Sequence, residues 1–120
     1  DLGDSAITET VGLGGFAMAA APAITQFVGG TPDDALAISR SMRRITVRPH
    51  PAFPIPSLNF TGTPSGIDVL AVLDTGVLPV INTGIAHREA GVGQIGAGIV
   101  TAPPEVFVAA VHALAREAGR

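Results

Sequence analysis

The sequence predicts an α+β domain, a mixed sheet with packed helices, and three observations carry that prediction. Thr31-Pro32-Asp33-Asp34 is a complete helix start: a hydroxyl to cap, a proline at the first helical position and carboxylates in the first turn. Residues 58–81 read as strand, short helix and strand in close succession. An apolar run, Val77-Leu78-Pro79-Val80-Ile81, then empties into a polar, glycine-rich loop, beyond which Ile95 to Val100 reads as another strand.

Taken in order, Ile7 to Gly15 (ITETVGLGG) is a strand-like run leading into a glycine-rich helix start. No residue is charged between Glu9 and Asp33, a length that could nominally span a bilayer. Gly12, Gly14, Gly15, Pro22, Gln26, Gly29 and Gly30 interrupt it and its flanks are acidic, so a buried helix from near Phe16 to about Val28, kinked at Pro22, is expected instead. The helix capped by Thr31 continues to about residue 46, with Leu36, Ile38, Met42 and Ile45 as its apolar side. Arg40, Arg43 and Arg44 fall near its C-terminal end, where cations suit the helix dipole. Four prolines between Arg48 and Pro56 require extended or looped chain, with His50 a solvated loop residue between two of them. Leu58-Asn59-Phe60 reads as a short strand, and Gly62, Pro64 and Gly66 as a turn. Ile67 to Asp74 reads as a short helix stopped by Gly76, before the strand Val77–Ile81 and the turn signal Asn82-Thr83-Gly84. Pro103-Pro104-Glu105 opens the last helix, with Thr101 as its N-cap and Val106, Phe107, Ala110, Val111 and Leu114 as its apolar stripe, leaving His112 on the surface.

Length, charge and composition narrow the function classes. Residues 1–120 form one domain, with no linker to divide them. The chain begins at Asp1 without a signal peptide, so an excerpt of a longer, cytoplasmic subunit is expected. Hydrophobic residues make up 47% and charged residues only 14%, against about a quarter in average domains. Such a composition predicts a domain that buries more than one face, against other domains or a second subunit, and hence an oligomer. A net charge of −3 and the lack of a basic, aromatic-rich stripe exclude a nucleic-acid binder. With no cysteine, thiolate catalysis and zinc–sulfur sites are excluded as well.

Two motifs invite a ligand. Gly91-Val92-Gly93-Gln94-Ile95-Gly96 has the spacing of a dinucleotide fingerprint, but a polar cluster precedes it and β-branched residues follow it, so a Rossmann site is rejected. Gly12, Gly14 and Gly15 ahead of a helix are a better cradle for an anion, since free N–H groups at a helix start favour negative charge; tight helix–strand packing accounts for them equally well. His87-Arg88-Glu89 is the densest polar cluster of the central loop. An imidazole there suits proton transfer, and a merely hydrogen-bonded histidine is the competing explanation. A metal would need a third ligand beside His87 and Glu89, and Glu9, Asp68 and Asp74 have no evident place near them, so no metal site is predicted.

The stretch INTGIAHREAGVGQIGAG, with ITETVGLGGFAMAAAP before it and FTGTPSGIDV between, resembles the YlbE/YahG-like bacterial proteins in the same order along the chain. That family is linked to the oxamate carbamoyltransferase complex of anaerobic allantoin breakdown, and its members are several times longer, this chain corresponding to their later part. The resemblance implies carbamoyl transfer between oxalurate and phosphate, giving oxamate and carbamoyl phosphate, with no cofactor and with other subunits as partners. On that chemistry, His87 and Glu89 are the candidate catalytic pair, His87 supplying the proton. Thr10, Gly12, Gly14, Gly15, Asn82, Thr83, Gly84, Arg88, Gly91 and Gly93 are the candidate contacts to phosphate and an oxalate-derived acid. A non-catalytic assembly domain of such a complex is the alternative.

Overall fold

The structure is a computed structural model and describes residues 3–21, 23, 26 and 29–120. Among the described residues, α1 (Gly3–Val11) leads into a 3-10 helical segment (Gly14–Ala20), followed by α2 (Pro32–Arg43), β1 (Thr46–Ile55), β2 (Thr61–Ile67) and α3 (Val69–Thr75). The chain then forms β3 (Val80–Ala86), β4 (Gln94–Thr101) and α4 (Pro104–Ala118). This is an α+β domain whose strands make two antiparallel pairs, β1 with β2 and β3 with β4, rather than one mixed sheet. Of the helix expected from Phe16 to Val28, the 3-10 segment covers the beginning, and the rest, with the kink at Pro22, lies largely outside the described residues.

The start of α2 follows its sequence signal closely. Thr31 caps it, Pro32 opens it, and Asp34 reaches back so that both halves of a capping box form: Asp34 N donates to Thr31 Oγ1 (3.2 Å), and Thr31 N donates to Asp34 Oδ2 (2.8 Å). The donations to Asp34 Oδ2 from Thr31 N and from Thr31 Oγ1 favour the ionised carboxyl and hold Asp34 below its usual value of 3.8. At the start of α3, Asp68 accepts from the amides of Leu70 and Ala71, and Gly76 ends that helix with φ of 71°.

Elsewhere local signals lost to tertiary pairing. The run ITETV is helical, not a strand. On the helix Ile7 and Val11 lie four residues apart on one face, which is exposed, while Glu9 turns into the protein. Leu58 closes a short 3-10 segment, and Asn59 and Phe60 take left-handed φ of 55° and 56° to turn the β1–β2 hairpin, so the expected strand there is the turn. The expected turn at Gly62, Pro64 and Gly66 is instead strand β2. Its proline, Pro64, is tolerated because each strand of a two-stranded sheet is an edge, needing donors on one side only. The prolines of β1 are accommodated likewise, with a bulge between Pro49 and Pro54. His50 is therefore a strand residue, its ring stacked on Phe53 at 4.0 Å.

The region expected to be strand then turn is shifted. Val77 to Pro79 precede β3, and Asn82, Thr83 and Gly84 lie inside it, opposite Ile99, Gly98 and Ala97 of β4. The turn falls at residues 87–93, where Gly91 and Gly93 supply φ of 86° and 85°. Thr101 ends β4 and does not cap α4, whose N-cap position is Pro103. The core gathers Phe16, Met42, Ile45, Val72 and Phe107. On α4 only Phe107 is buried, and Val106, Val108 and Leu114 of the expected stripe and its neighbourhood remain open. A radius of gyration of 15.4 Å exceeds the about 14 Å expected of a spherical domain this size, as projecting hairpins require. No helix among the described residues is long and apolar enough to cross a membrane.

Candidate functional site

The glycine-rich loop is built around a carboxylate. Glu9, on the inward face of α1, is 1% exposed. Its Oε1 accepts from the amide of Gly15 (2.8 Å) and from the amide of Asn82 on β3 (2.9 Å). One side chain thus ties α1, the glycine loop and the β3–β4 hairpin together. Gly14 has φ of 59°, and a Cβ there would run into the Glu9 carboxylate; a Cβ on Gly15 would run into the Val80 carbonyl. Gly12, with φ of 100°, lies against Thr63 of β2. The Gly15 amide at this helix start therefore does hold a carboxylate, with the Asn82 amide of β3 as its second donor, and that carboxylate is the chain's own. Glu9 Oε2 and Thr63 Oγ1 are both buried without a hydrogen-bond partner among the described residues.

The second cluster sits at the tip of the β3–β4 hairpin. His87 N donates to Gly93 O (2.9 Å), closing the loop, and Glu89 N donates to His87 Nδ1 (3.0 Å). With Nδ1 accepting, the neutral imidazole carries its proton on Nε2, where it serves as a donor. Arg88 and Glu89 are exposed, and His87 is half-buried. Nothing lies within 4 Å of where a Cβ on Gly91 or Gly93 would stand, so these glycines answer the backbone conformation and not crowding. A strand, not a helix, follows the G-x-G-x-x-G spacing, in keeping with rejection of a dinucleotide site.

The remaining predicted residues divide between these clusters. Thr10 is exposed on α1, its hydroxyl donating to Ala6 O (2.8 Å), and it borders a surface cavity of about 420 Å³ with Val11, Arg48, His50 and Ser65. Asn82 belongs with Glu9; Thr83 and Gly84 lead along β3 toward the tip. Five residue steps along and just past β3 separate Asn82 from His87, about 17 Å at the usual rise, so one small molecule does not touch both clusters. What the sequence reading passed over is Glu9 as the centre of the first cluster. The signal was a lone carboxylate in an otherwise uncharged run, five residues ahead of Gly14. No group of His, Cys, Asp and Glu suited to a metal forms among the described residues.

No protein-family profile matches the chain. It is 59% identical over 111 residues to Uncharacterized protein YahG of Escherichia coli (strain K12), covering 92% of this chain and 24% of that protein. It is 52% identical over 120 residues to the oxamate carbamoyltransferase subunit AllG of the same strain, covering 99% and 29%. The fold matches, with a TM-score of 0.88 and 59% identity, the crystal structure of a conserved protein of unknown function from Enterococcus faecalis V583, covering 97% of this chain and 28% of that one. The chain thus spans between about a quarter and three tenths of the proteins it matches.

Proposed function

We propose, from the chain's homology to YahG and AllG, that it is a domain of a cytoplasmic carbamoyl-transferring enzyme subunit that works with other subunits. The observation that carries the reading is the 52% identity to an oxamate carbamoyltransferase subunit along 120 residues. The reaction is that of oxalurate with phosphate: a phosphate oxygen attacks the carbamoyl carbon, the bond to the amide nitrogen breaks, and that nitrogen takes up a proton to leave as oxamate. A site for it needs donors for two anions and a proton for the departing nitrogen. The hairpin tip supplies candidates for both: Arg88 for an anionic oxygen, and His87, whose Nε2–H donates a hydrogen bond to the departing group while the proton lost by the attacking hydrogen phosphate reaches the nitrogen; the Glu89 backbone amide holds the imidazole in that tautomer. The tip is open, so a surface from elsewhere in the subunit or its partners completes the site.

The experiment is His87→Gln in the full-length protein assembled with its partner subunits. Carbamoyl phosphate formation falls by about two to four orders of magnitude, while co-elution of the subunits is unchanged. Turnover near wild type in an assembled complex removes His87 from the chemistry. The second reading, a non-catalytic assembly domain, is favoured by exposed Ile85, Val92 and Ile95 around the same tip; it predicts that alanine substitutions at residues 87–89 release the partner subunits and activity together.

A further inference from the structure

The chain carries −3 overall, yet the segment from Ala35 to Ile67 contains Arg40, Arg43, Arg44 and Arg48 and no Asp or Glu. That segment is +4 and the remainder is therefore −7. It folds as α2 beyond its acidic first turn (Asp33, Asp34), β1 and β2, so four of the seven arginines fall on one part of the protein. The dipole of α2 accounts for a cation at its last turn but not for what Arg43 does. The carbonyls ending α2 are taken by other donors: Thr46 Oγ1 reaches Met42 O (3.0 Å), Arg44 N reaches Ser41 O (3.1 Å) and Ile45 N reaches Met42 O (3.2 Å). Arg43 Nε and Nη2 are shielded from solvent and have no hydrogen-bond partner among the described residues. No ion pair involves Arg43 or Arg48 among those residues; the pair that forms is Arg120 with Glu117. Asp68, whose amide meets the Ile45 carbonyl, uses its carboxylate to cap α3.

Desolvated guanidinium donors without an acceptor are costly, so an anion that reaches them gains charge-assisted bonds that water does not already supply. Beside Arg43 lies a cavity of about 230 Å³ lined also by Thr46, Arg48, Pro49, Thr61 and Pro64. We propose that this cavity, between the end of α2 and the β1–β2 hairpin, binds a phosphate group held by Arg43 and Arg48. The planar fork of Arg43 offers two donors to two phosphate oxygens once a small rotation of its terminal torsions turns them into the cavity. Arg48, which also lines the cavity, supplies the second charge. The site is separate from the hairpin tip and does not depend on the proposed reaction.

The test is calorimetric titration of the full-length protein with inorganic phosphate and with a phosphate monoester, against chloride at matched ionic strength. Saturable binding of at least one is expected. Arg43→Met and Arg48→Gln each weaken it by about ten- to a hundredfold, while Arg120→Gln leaves it unchanged. Tighter binding of inorganic phosphate identifies the free ion as ligand, and tighter binding of the ester identifies a phosphorylated metabolite. Arg43→Met also raises the melting temperature of the ligand-free protein, because it removes the orphaned donors, and abolishes the further rise that phosphate produces. Binding of neither probe above the chloride background, or undiminished affinity in folded Arg43→Met, overturns the site. Failure of this proposal shows in the phosphate affinity of folded Arg43→Met, and failure of the carbamoyl-transfer reading shows in the turnover of His87→Gln, so the two are told apart.

Discussion

Glu9→Ala isolates the contribution of the carboxylate that joins α1, the glycine loop and β3. The substitution removes the acceptor of the Gly15 and Asn82 amides and leaves two shielded N–H groups unpaired. At about 1–3 kcal/mol for each orphaned group, the loss is about 2–6 kcal/mol. Glu9→Gln separates the hydrogen bonds from the charge. Its oxygen takes the place of Oε1, and its amide nitrogen takes the place of Oε2, which has no partner to lose. Each bond gives up about 1 kcal/mol of charge assistance and the new amide nitrogen is itself a shielded donor without an acceptor, while relief from burying an ion offsets part of this, so Glu9→Gln is destabilised but keeps both acceptor bonds and stays more stable than Glu9→Ala. The assay is urea denaturation of the three proteins with equal m-values as the check that the unfolding reaction is the same. A loss below about 1 kcal/mol for Glu9→Ala, set against the per-group penalty above, would refute the reasoning, as would a Glu9→Gln protein no more stable than Glu9→Ala.

Two further outcomes follow from the same geometry. Gly14→Ala meets both a left-handed backbone and the Glu9 carboxylate, whereas Gly91→Ala meets the backbone alone; Gly91→Ala therefore costs about 1–2 kcal/mol and Gly14→Ala clearly more, with Glu9→Ala reducing the Gly14→Ala penalty in a double-mutant cycle. Asp34 is held below 3.8 by its bonds to Thr31, so its contribution to α2 is present above that value and lost as pH falls through the lower folded value. Thermal melts of wild type and Asp34→Asn should differ near neutrality and converge in strong acid, and a difference that persists there would remove the carboxylate from the explanation.

Where a signal is local, the sequence alone was sufficient. The Thr31 cap and Pro32 start of α2 and the Gly76 stop of α3 depend on residues within a few positions of each other, and they form as read; the Asp68 cap of α3 is just as local but was not read, the helix having been expected from Ile67. The α+β class and the polar hairpin tip at His87-Arg88-Glu89 were legible for the same reason, and so were the residue types carrying the resemblance to the proteins it matches. Pairing across the chain decided the rest. Asn82-Thr83-Gly84 has turn composition, but bonding to β4 makes it strand and pushes the turn to the positive-φ glycines. Thr61 to Ile67 is strand because β1 lies beside it, against its own glycine and proline content. The carboxylate at the glycine loop is Glu9, close enough in sequence to be seen, but its role as a tie between elements is not local, because the second amide that holds it comes from Asn82, 73 residues away. The unpaired donors of Arg43 are equally a tertiary fact: nothing in the sequence shows that Thr46 takes the helix-end carbonyl and leaves the guanidinium facing inward without an acceptor.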